Sequence, residues 1–204
     1  MLISISFVIF TYIVYEVLLL KNVSFDERAA GYCSDHYSKV LVNFFSFFTF
    51  LGSQTGVVAG YVILISWLFI SKNRHAALRI LITGISGYLM VRVMKILFQR
   101  ERPLVPLLPP LKTYSFPSGH TTTATIFFGL LIYIIWEEAR MKKQYKIFLT
   151  IISILVAIFI GLSRIYLREH FATDVIGGFF IAIFFVIVST TLLQKIKYFH
   201  ERKI

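Results

Sequence analysis

The stretch Tyr114–Thr123 reads YSFPSGHTTT and lies at the start of a long apolar run. Ser118 is a residue type that caps helices well, and Gly119 lets a ligand approach the backbone closely. The free N–H groups of a helix that begins here favour anions, phosphate in particular. The alternative is an ordinary helix cap without a ligand, and the rest of the chain has to decide between the two.

The rest of the chain is unusually apolar. Of its 204 residues, 57% are hydrophobic, and the mean hydropathy is +0.78, a composition that is rare among soluble domains. The apolar residues occur in long runs, which indicates membrane spans rather than a large soluble core. The single cysteine, Cys33, excludes an internal disulfide and a cysteine-based metal site.

The net charge of +11 does not indicate nucleic-acid binding. The basic residues lie between apolar runs rather than on one soluble face, and in such positions they set membrane orientation and contact anionic headgroups. We therefore expect membrane lipids as partners, no nucleic acid and no obligate protein partner.

Six apolar runs are long enough to span a bilayer as helices. Their predicted bounds are 2–20, 50–71, 78–98, 119–137, 147–167 and 171–194. The first is expected to be a retained span, since it lacks the basic segment and cleavage site of a signal peptide. The connector 21–49 is expected to hold a short amphipathic helix on the membrane surface. The predicted fold class is an all-α integral membrane protein, with residues 1–204 as a single six-span domain.

Lysine and arginine counts predict the orientation of these spans. With six spans, the segments 71–79, 139–146 and the tail after 194 share one side and carry eleven cations, against nine on the other side. The margin is small, but it widens if some of the nine serve chemistry. We therefore expect a multi-pass protein of the cell membrane with both termini in the cytoplasm.

Three polar clusters interrupt the spans, and the six-span topology places all three on the outer side. They are KILFQRERP (95–103), PSGH (117–120) and SRIYLREHFATD (163–174). Ionisable residues at membrane depth are functional candidates by default. The predicted active site therefore lies on the outer face.

The first cluster contains two cations at helical spacing. Lys95 and Arg102 are seven residues apart, which is two turns of a helix that Pro103 would end, so both would point the same way. Two cations on one face repel each other unless an anion lies between them. The alternative is that both extend to headgroups at the end of a span.

The third cluster predicts an oriented nucleophile. His170 and Asp174 are four residues apart, so on a helix they share a face and can hydrogen-bond. A carboxylate on one imidazole nitrogen leaves the other free to attack, although a purely structural pair is the alternative. Arg164 adds a cation whose guanidinium suits a phosphate. Because no metal-ligand spacing is recognisable, the residues favour metal-free phosphoryl transfer through a histidine.

Together, these motifs resemble those of the type-2 phosphatidic acid phosphatase family. Three motifs match at the family's spacing: Lys95 to Arg102-Pro103, Pro117-Ser118-Gly119-His120, and Ser163-Arg164 to His170 and Asp174. Phe25-Asp26 and Thr49–Ser53 are similar to the family's first outer loop. The resemblance spans 95–174, and it implies six transmembrane helices around a haloperoxidase-like phosphatase core.

The resemblance also implies a role for each residue. His170 would attack phosphorus and form a phosphohistidine, which Asp174 would assist by orienting the imidazole. His120 would protonate the leaving oxygen and then activate water. The phosphoryl oxygens would be held by Lys95, Arg102, Ser118, Gly119 and Arg164. The family is metal-independent, so no metal or other cofactor is expected.

The activity implied is that of a phosphoric monoester hydrolase acting on a lipid phosphate. Compact bacterial members of the family act on phosphatidylglycerol phosphate, phosphatidic acid or undecaprenyl diphosphate, and the motifs do not rank these lipids. We expect phosphatidylglycerol phosphate or phosphatidic acid, with undecaprenyl diphosphate as the alternative. A transporter or channel is the remote alternative, because no inverted repeat is evident and the histidine spacings would be a coincidence.

Two further features lie near these motifs. The apolar, proline-rich stretch Leu104–Tyr114 is expected to dip into the interface and wall a lateral entry for lipid chains, unless it is only a stiff loop. Arg92 lies inside the third span, and Glu16 lies near the end of the first at a similar depth. One interpretation is that these two residues form an ion pair, and the alternative is that Arg92 extends outward to the headgroups.

Overall fold

Residues 1–109 and 112–201 are described by a computed structural model, with side chains up to residue 194, and they contain helices and no strand. The helices are α1 (Leu2–Val14), which continues into a π-helical turn (Tyr15–Leu19), α2 (Ser24–Asp35), α3 (Lys39–Leu51), α4 (Gln54–Ile70), α5 (Arg74–Phe98), α6 (Gly119–Glu137), α7 (Lys143–Tyr166) and α8 (Ala172–Glu201).

Five helical stretches of the described chain are long and apolar enough to cross a membrane, and a bent pair of helices adds a sixth. The five are Leu2–Leu19, Arg74–Phe98, Gly119–Glu137, Lys143–Tyr166 and Ala172–Gln194. The five corresponding predicted spans are thereby confirmed, although α5 and α7 each begin four residues earlier than predicted.

The second span differs from the prediction. It consists of α3 and α4, which are bent by 49° at a short break, instead of a single helix over 50–71. The break occurs at Gly52 and Ser53, where the Ser53 hydroxyl accepts a hydrogen bond from the Gly56 N–H (3.1 Å) and caps α4. The connector 21–49 therefore holds α2 and most of α3, rather than one short helix.

Large apolar side chains cover the outside of these helices. Ile63, Ile70 and Leu97 are each 70% exposed or more, whereas Leu68, Ile80 and other apolar residues are buried between α4, α5, α6 and α8. Exposed apolar surface of this extent is unfavourable in water but suits the acyl chains of a bilayer. The fold is the predicted all-α integral membrane protein.

Close helix packing brings the starts of α6 and α8 together. A Cβ atom on Gly178 of α8 would lie 2.9 Å from Thr122 Oγ1, and one on Gly177 would lie 2.8 Å from Phe116 Cε2. Small residues at such positions let transmembrane helices approach closely. The ends of α5 and α7 meet the starts of α6 and α8 at one end of the bundle, which we call the site end.

Candidate active site

Lys95 and Arg102 reach the site end from different elements. Helix α5 ends at Phe98, because Gln99 adopts a left-handed conformation (φ 45°, ψ 32°) and turns the chain. The predicted helix through Arg102 to Pro103 is therefore wrong. The predicted proximity is nevertheless confirmed, since Lys95 and Arg102 line the same cavity.

Backbone carbonyls of the segment 113–115 hold both cations. The Lys95 ammonium donates to the carbonyls of Tyr114 and Ser115, the latter at 3.1 Å. Arg102 Nε donates to the Thr113 carbonyl (2.7 Å), and its Nη2 donates to the Thr113 hydroxyl (3.1 Å). The segment before PSGH therefore positions the two cations that the first motif supplies.

His170 lies between a carboxylate and a guanidinium. Its Nδ1 is 3.3 Å from Asp174 Oδ2, and its Nε2 is 3.1 Å from Arg102 Nη1. His170 precedes α8, so the contact with Asp174 is made across the first turn, where the Phe171 N–H also donates to Asp174 Oδ2 (3.0 Å). The predicted His170–Asp174 contact is confirmed, and it leaves Nε2 as the nitrogen on the cavity side.

Asp174 has partners that the sequence analysis missed. Arg100 Nη1 donates to Asp174 Oδ1 (2.5 Å), and the Ser115 hydroxyl donates to Oδ2. The Arg100 guanidinium also lies over the Phe171 ring, 4.2 Å from its centre. Asp174 is fully buried, and a buried carboxylate needs such compensation. The sequence shows the charge of Arg100 in QRERP, but its spacing in the chain does not indicate that it pairs with Asp174.

Asp26 joins α2 to this network. Its carboxylate pairs with Arg100 Nη2 (2.7 Å) and accepts from the backbone N–H (2.9 Å) and the hydroxyl (2.7 Å) of Thr173. The similarity noted at Phe25-Asp26 thus coincides with a buried contact to the start of α8. Asp26 supports Arg100, which in turn supports Asp174.

Arg164 is buried beside a second carboxylate. Its Nη1 donates to the Thr49 hydroxyl (2.5 Å), and its Nη2 lies 3.3 Å from Glu169 Oε2. The same Glu169 oxygen lies 3.8 Å from Arg102 Nη1. Within the described part of the chain, Arg164 Nε and Glu169 Oε1 are buried without a hydrogen-bond partner. Glu169, which the sequence analysis did not single out, therefore lies between two cations predicted to hold phosphate.

Burial and charge set the protonation of the groups in the connector between α7 and α8. Burial lowers the pKa of His170 well below its ordinary range, and nearby cations, Arg102 foremost, lower it further. Burial raises the pKa of the Glu169 carboxyl, although Arg164 and Arg102 act in the opposite direction. His170 is therefore neutral at neutral pH, and its unprotonated Nε2 accepts the hydrogen bond from Arg102.

The start of α6 is organised by its threonines. Ser118 occupies the N-cap position, as expected, but its hydroxyl accepts no hydrogen bond from a backbone N–H of α6. Instead, the hydroxyl of Thr121 donates to Ser118 Oγ (2.9 Å), and those of Thr122 and Thr123 donate to the carbonyls of Ser118 (2.8 Å) and Gly119 (2.9 Å). These bonds fix the turn that presents Gly119 and His120.

A cavity of about 490 Å³ opens beside these groups. Of the eight predicted site residues, five line it: Lys95, Arg102, Gly119, His120 and His170. Asp174 lies behind His170, whereas Ser118 and Arg164 are buried and do not line the cavity. The convergence of the three motifs is confirmed, and the contacts of Ser118 and Arg164 with phosphate stay predictions.

The remaining cavity wall is mainly apolar. It is formed mainly by side chains of α4 and α5, among them Val57, Val62, Ile65, Leu81 and Ile85. No three His, Cys, Asp or Glu side chains within residues 1–109 and 112–194 are grouped as metal ligands. The cavity thus combines a cationic end that carries two histidines with an apolar interior.

A cationic, histidine-bearing site inside a helical membrane bundle suits the cleavage of a phosphate ester. The sequence model of the PAP2 superfamily matches residues 76–198, and the chain belongs to this superfamily. The predicted family and the predicted enzyme class are thereby confirmed. Membership of a phosphatase superfamily leaves the transporter or channel without support.

Two curated relatives from Bacillus subtilis (strain 168) cover most of the chain. Phosphatidylglycerophosphatase B is 29% identical over 154 residues, which is 76% of each protein. The undecaprenyl-diphosphatase BcrC is 29% identical over 155 residues, which is 72% of each protein. Sequence identity therefore does not separate the two substrate classes.

Two crystal structures share the fold. The transmembrane PAP2-type phosphatidylglycerolphosphate phosphatase from Bacillus subtilis superposes with a TM-score of 0.88 at 25% identity, over 95% of this chain and 96% of that one. LpxE from Aquifex aeolicus superposes with a TM-score of 0.63 at 28% identity, over 79% and 92%. The likeness to the first extends over nearly the whole bundle, including α2 and α3.

Proposed function

We propose that this protein removes the terminal phosphate of a membrane lipid, phosphatidylglycerol phosphate foremost, through a phosphohistidine intermediate. The observation that carries the proposal is His170, held between Asp174 and Arg102 at the cationic end of a cavity with an apolar interior. The names of one curated relative and of one structural neighbour support this lipid. Phosphatidic acid has the same chemistry at the bond that breaks.

Substrate binding would release the nucleophile. In the structure, Arg102 Nη1 donates to His170 Nε2 and occupies the electron pair that has to attack. A phosphoryl group is a stronger acceptor, so Arg102 and Lys95 would turn their donors to its oxygens. His170 Nε2 would then face the phosphorus atom while Asp174 holds Nδ1–H.

The first chemical step breaks the phosphorus–oxygen bond of the lipid. His170 Nε2 forms a bond to phosphorus, and the leaving oxygen takes a proton from His120. Asp174 stabilises the imidazolium that develops, and the cations stabilise the charge on the equatorial oxygens. The dephosphorylated lipid leaves, and the phosphoryl group stays on His170.

The second step returns the enzyme to its starting state. His120, now neutral, takes a proton from a water molecule, whose oxygen attacks phosphorus. The bond from phosphorus to His170 Nε2 breaks, and inorganic phosphate is released. His120 is protonated again, so one lipid phosphate and one water yield one alcohol and one phosphate.

Undecaprenyl diphosphate is the second candidate substrate. The relative named undecaprenyl-diphosphatase BcrC favours it at the same identity as the first relative. The same residues would then cleave a phosphoanhydride, with a lipid monophosphate as the leaving group.

We further propose that the site end faces the outside and both termini face the cytoplasm. Four of the nine cations assigned to the outer side, Lys95, Arg100, Arg102 and Arg164, make contacts within the site. Their commitment to the site strengthens the cation bias of the opposite side. Arg202 and Lys203 of the tail lie outside the described residues.

Leu104–Tyr114 remains a proposed wall for lateral lipid entry. Leu104 is 94% exposed and Val105 is 66% exposed, as expected for side chains that insert into the interface. Pro110 and Leu111 lie outside the described residues.

The test is phosphate release from phosphatidylglycerol phosphate by purified protein in detergent with EDTA. The wild type should be active, and His170→Ala should lower kcat by on the order of 10³-fold or more while lipid binding persists, because the nucleophile is lost. His75→Ala is the matched control, since His75 is exposed at the opposite end of α5. Turnover that survives in His170→Ala, or that disappears with EDTA, would contradict the proposal.

A further inference from the structure

Arg92 has no role in the site described so far. It lines the cavity one turn before Lys95, and it makes no hydrogen bond or ion pair with any described residue. The predicted partner, Glu16, instead accepts a hydrogen bond from Asn22 Nδ2 (3.0 Å), so the predicted ion pair is wrong. An arginine inside a span is costly unless it faces water, a partner or a ligand.

The position of Arg92 places it between the catalytic residues and the apolar interior. Residues three apart share a helix face, and Arg92 lies about 4.5 Å from Lys95 along the axis, away from the site end. The next residues on this face are Tyr88, Ile85 and Leu81, which also line the cavity. The face of α5 thus changes from cationic to apolar with Arg92 at the boundary.

A neighbouring recess of about 510 Å³, which Arg92 also lines, adds positive charge. Among its charged lining residues it shares Arg92, Lys95 and Arg102 with the first cavity, adds Arg100 and Lys112, and contains a single carboxylate, Glu101. Lys95 and Arg102 serve the phosphoryl group, and Arg100 is paired with two carboxylates. Arg92 and Lys112 are therefore the cations of this lining that are left for a further anion. The space and the charge for a second anionic group therefore lie directly beside the first.

We propose that Arg92 forms a second anion subsite, which binds the inner phosphate of a lipid that carries two. The inference rests on the proposed function, because it takes the terminal phosphate to lie at His170. The inner phosphate is the diester of phosphatidylglycerol phosphate or the lipid-linked phosphate of undecaprenyl diphosphate. The tail then continues along the apolar wall below Tyr88.

The subsite gives the enzyme a preference among lipid substrates, which the three motifs alone do not provide. Phosphatidic acid has only the phosphate that is removed, so it gains nothing from Arg92. A guanidinium–phosphate contact is a charge-assisted hydrogen bond, whose loss lowers kcat/KM about tenfold or more. Arg92 therefore favours lipids with two phosphates over phosphatidic acid.

The experiment compares kcat/KM for three lipids in matched micelles with EDTA. They are dioleoyl phosphatidylglycerol phosphate, dioleoyl phosphatidic acid and undecaprenyl diphosphate, each with wild type, Arg92→Gln and Arg92→Lys. Arg92→Gln should lower kcat/KM about tenfold or more for at least one of the lipids with two phosphates. The fall in kcat/KM for phosphatidic acid should be at least about fivefold smaller. Arg92→Lys should retain part of the preference for lipids with two phosphates, because lysine keeps the positive charge but lacks the paired N–H donors of the guanidinium.

Arg74→Gln, the same charge change at the opposite end of α5, should leave the ranking of the three lipids unchanged. Equal losses on all three lipids, or the largest loss on phosphatidic acid, would overturn the subsite. If Arg92→Gln does not fold, the losses of kcat/KM that Arg92→Lys shows on the three lipids are judged by the same criterion. A wild type that hydrolyses none of the three lipids would refute the proposed function itself, which distinguishes the two failures.

Discussion

Three buried carboxylates balance the positive charge around His170. Asp26 and Asp174 share Arg100, and Glu169 lies between Arg102 and Arg164. Asp174 contacts the imidazole, and Asp26 acts on it only through Arg100. Glu169 instead contacts cations that are predicted to hold the phosphoryl group. The charge that the site offers to an anion therefore depends on Glu169.

Glu169→Gln should make inorganic phosphate a stronger inhibitor. The change removes a negative charge 3.3 Å from Arg164 Nη2 and keeps the shape of the side chain. Because charges interact strongly in a partly desolvated site, we expect the inhibition constant for phosphate to fall by about three- to tenfold. The measurement is competitive inhibition of lipid hydrolysis, with the exposed Glu27→Gln as a control for charge alone. Unchanged or weaker inhibition would show that Glu169 serves only to position the arginines.

For individual residues, the spacing along the sequence predicted contacts within a motif but not contacts between distant parts of the chain. His170 and Asp174 are four residues apart, and their contact follows from that spacing. Arg100 meets Asp26 across 74 residues, and Asp26 meets Thr173 across 147. No local periodicity encodes such pairs, because they arise only when α2 packs against the start of α8.

At the scale of elements, the site depends on how closely α8 approaches the start of α6. The Ser118 N–H donates to the Asp174 carbonyl (3.1 Å), so the PSGH turn and the start of α8 share a backbone bond. Gly178 lies at this contact. A larger residue there has to move the PSGH turn, which carries His120.

Gly178→Ala should therefore lower both stability and activity. Its Cβ would lie 2.9 Å from Thr122 Oγ1 and 3.3 Å from the Ser118 carbonyl oxygen, and overpacking of this kind costs about 1–3 kcal/mol. Gly31→Ala in α2 is the matched control, since nothing lies within 4 Å of its Cβ and alanine favours helix. Thermal unfolding in detergent and kcat measure the effect. A Gly178→Ala protein as stable and active as Gly31→Ala would contradict this packing.

The elements themselves were largely predictable from apolar run lengths. A run of about 20 residues is a strong signal, because a bilayer allows few other structures. The second span was predicted, but its bend at Gly52 and Ser53 and its extension into α3 were not, because hydropathy averages over a window and does not register such a break. The predicted span 78–98 ends where α5 ends, but the predicted helical continuation to Pro103 was wrong, because the conformation of Gln99 stops the helix.

For the whole molecule, the open question is which side of the membrane the site end faces. The single cysteine provides a native reporter. Cys33 lies near the end of α2 and is partly exposed, and its neighbour Ser34 accepts a hydrogen bond from Arg168 Nη2 (3.0 Å) in the connector between α7 and α8. Cys33 thus marks the site end, and Lys142, exposed just before α7, marks the opposite end.

A membrane-impermeant maleimide should label Cys33 in intact cells. In the variant Cys33→Ser with Lys142→Cys, labelling should require permeabilised cells, because the cation bias places that end in the cytoplasm. Burial raises the pKa of the Cys33 thiol, although Arg168 lowers it, so the reaction is run at mildly alkaline pH to supply thiolate. Both proteins have to retain lipid hydrolysis for the comparison to be valid. The reverse pattern would place the site end, and with it the pool of substrate that the enzyme reaches, on the cytoplasmic leaflet.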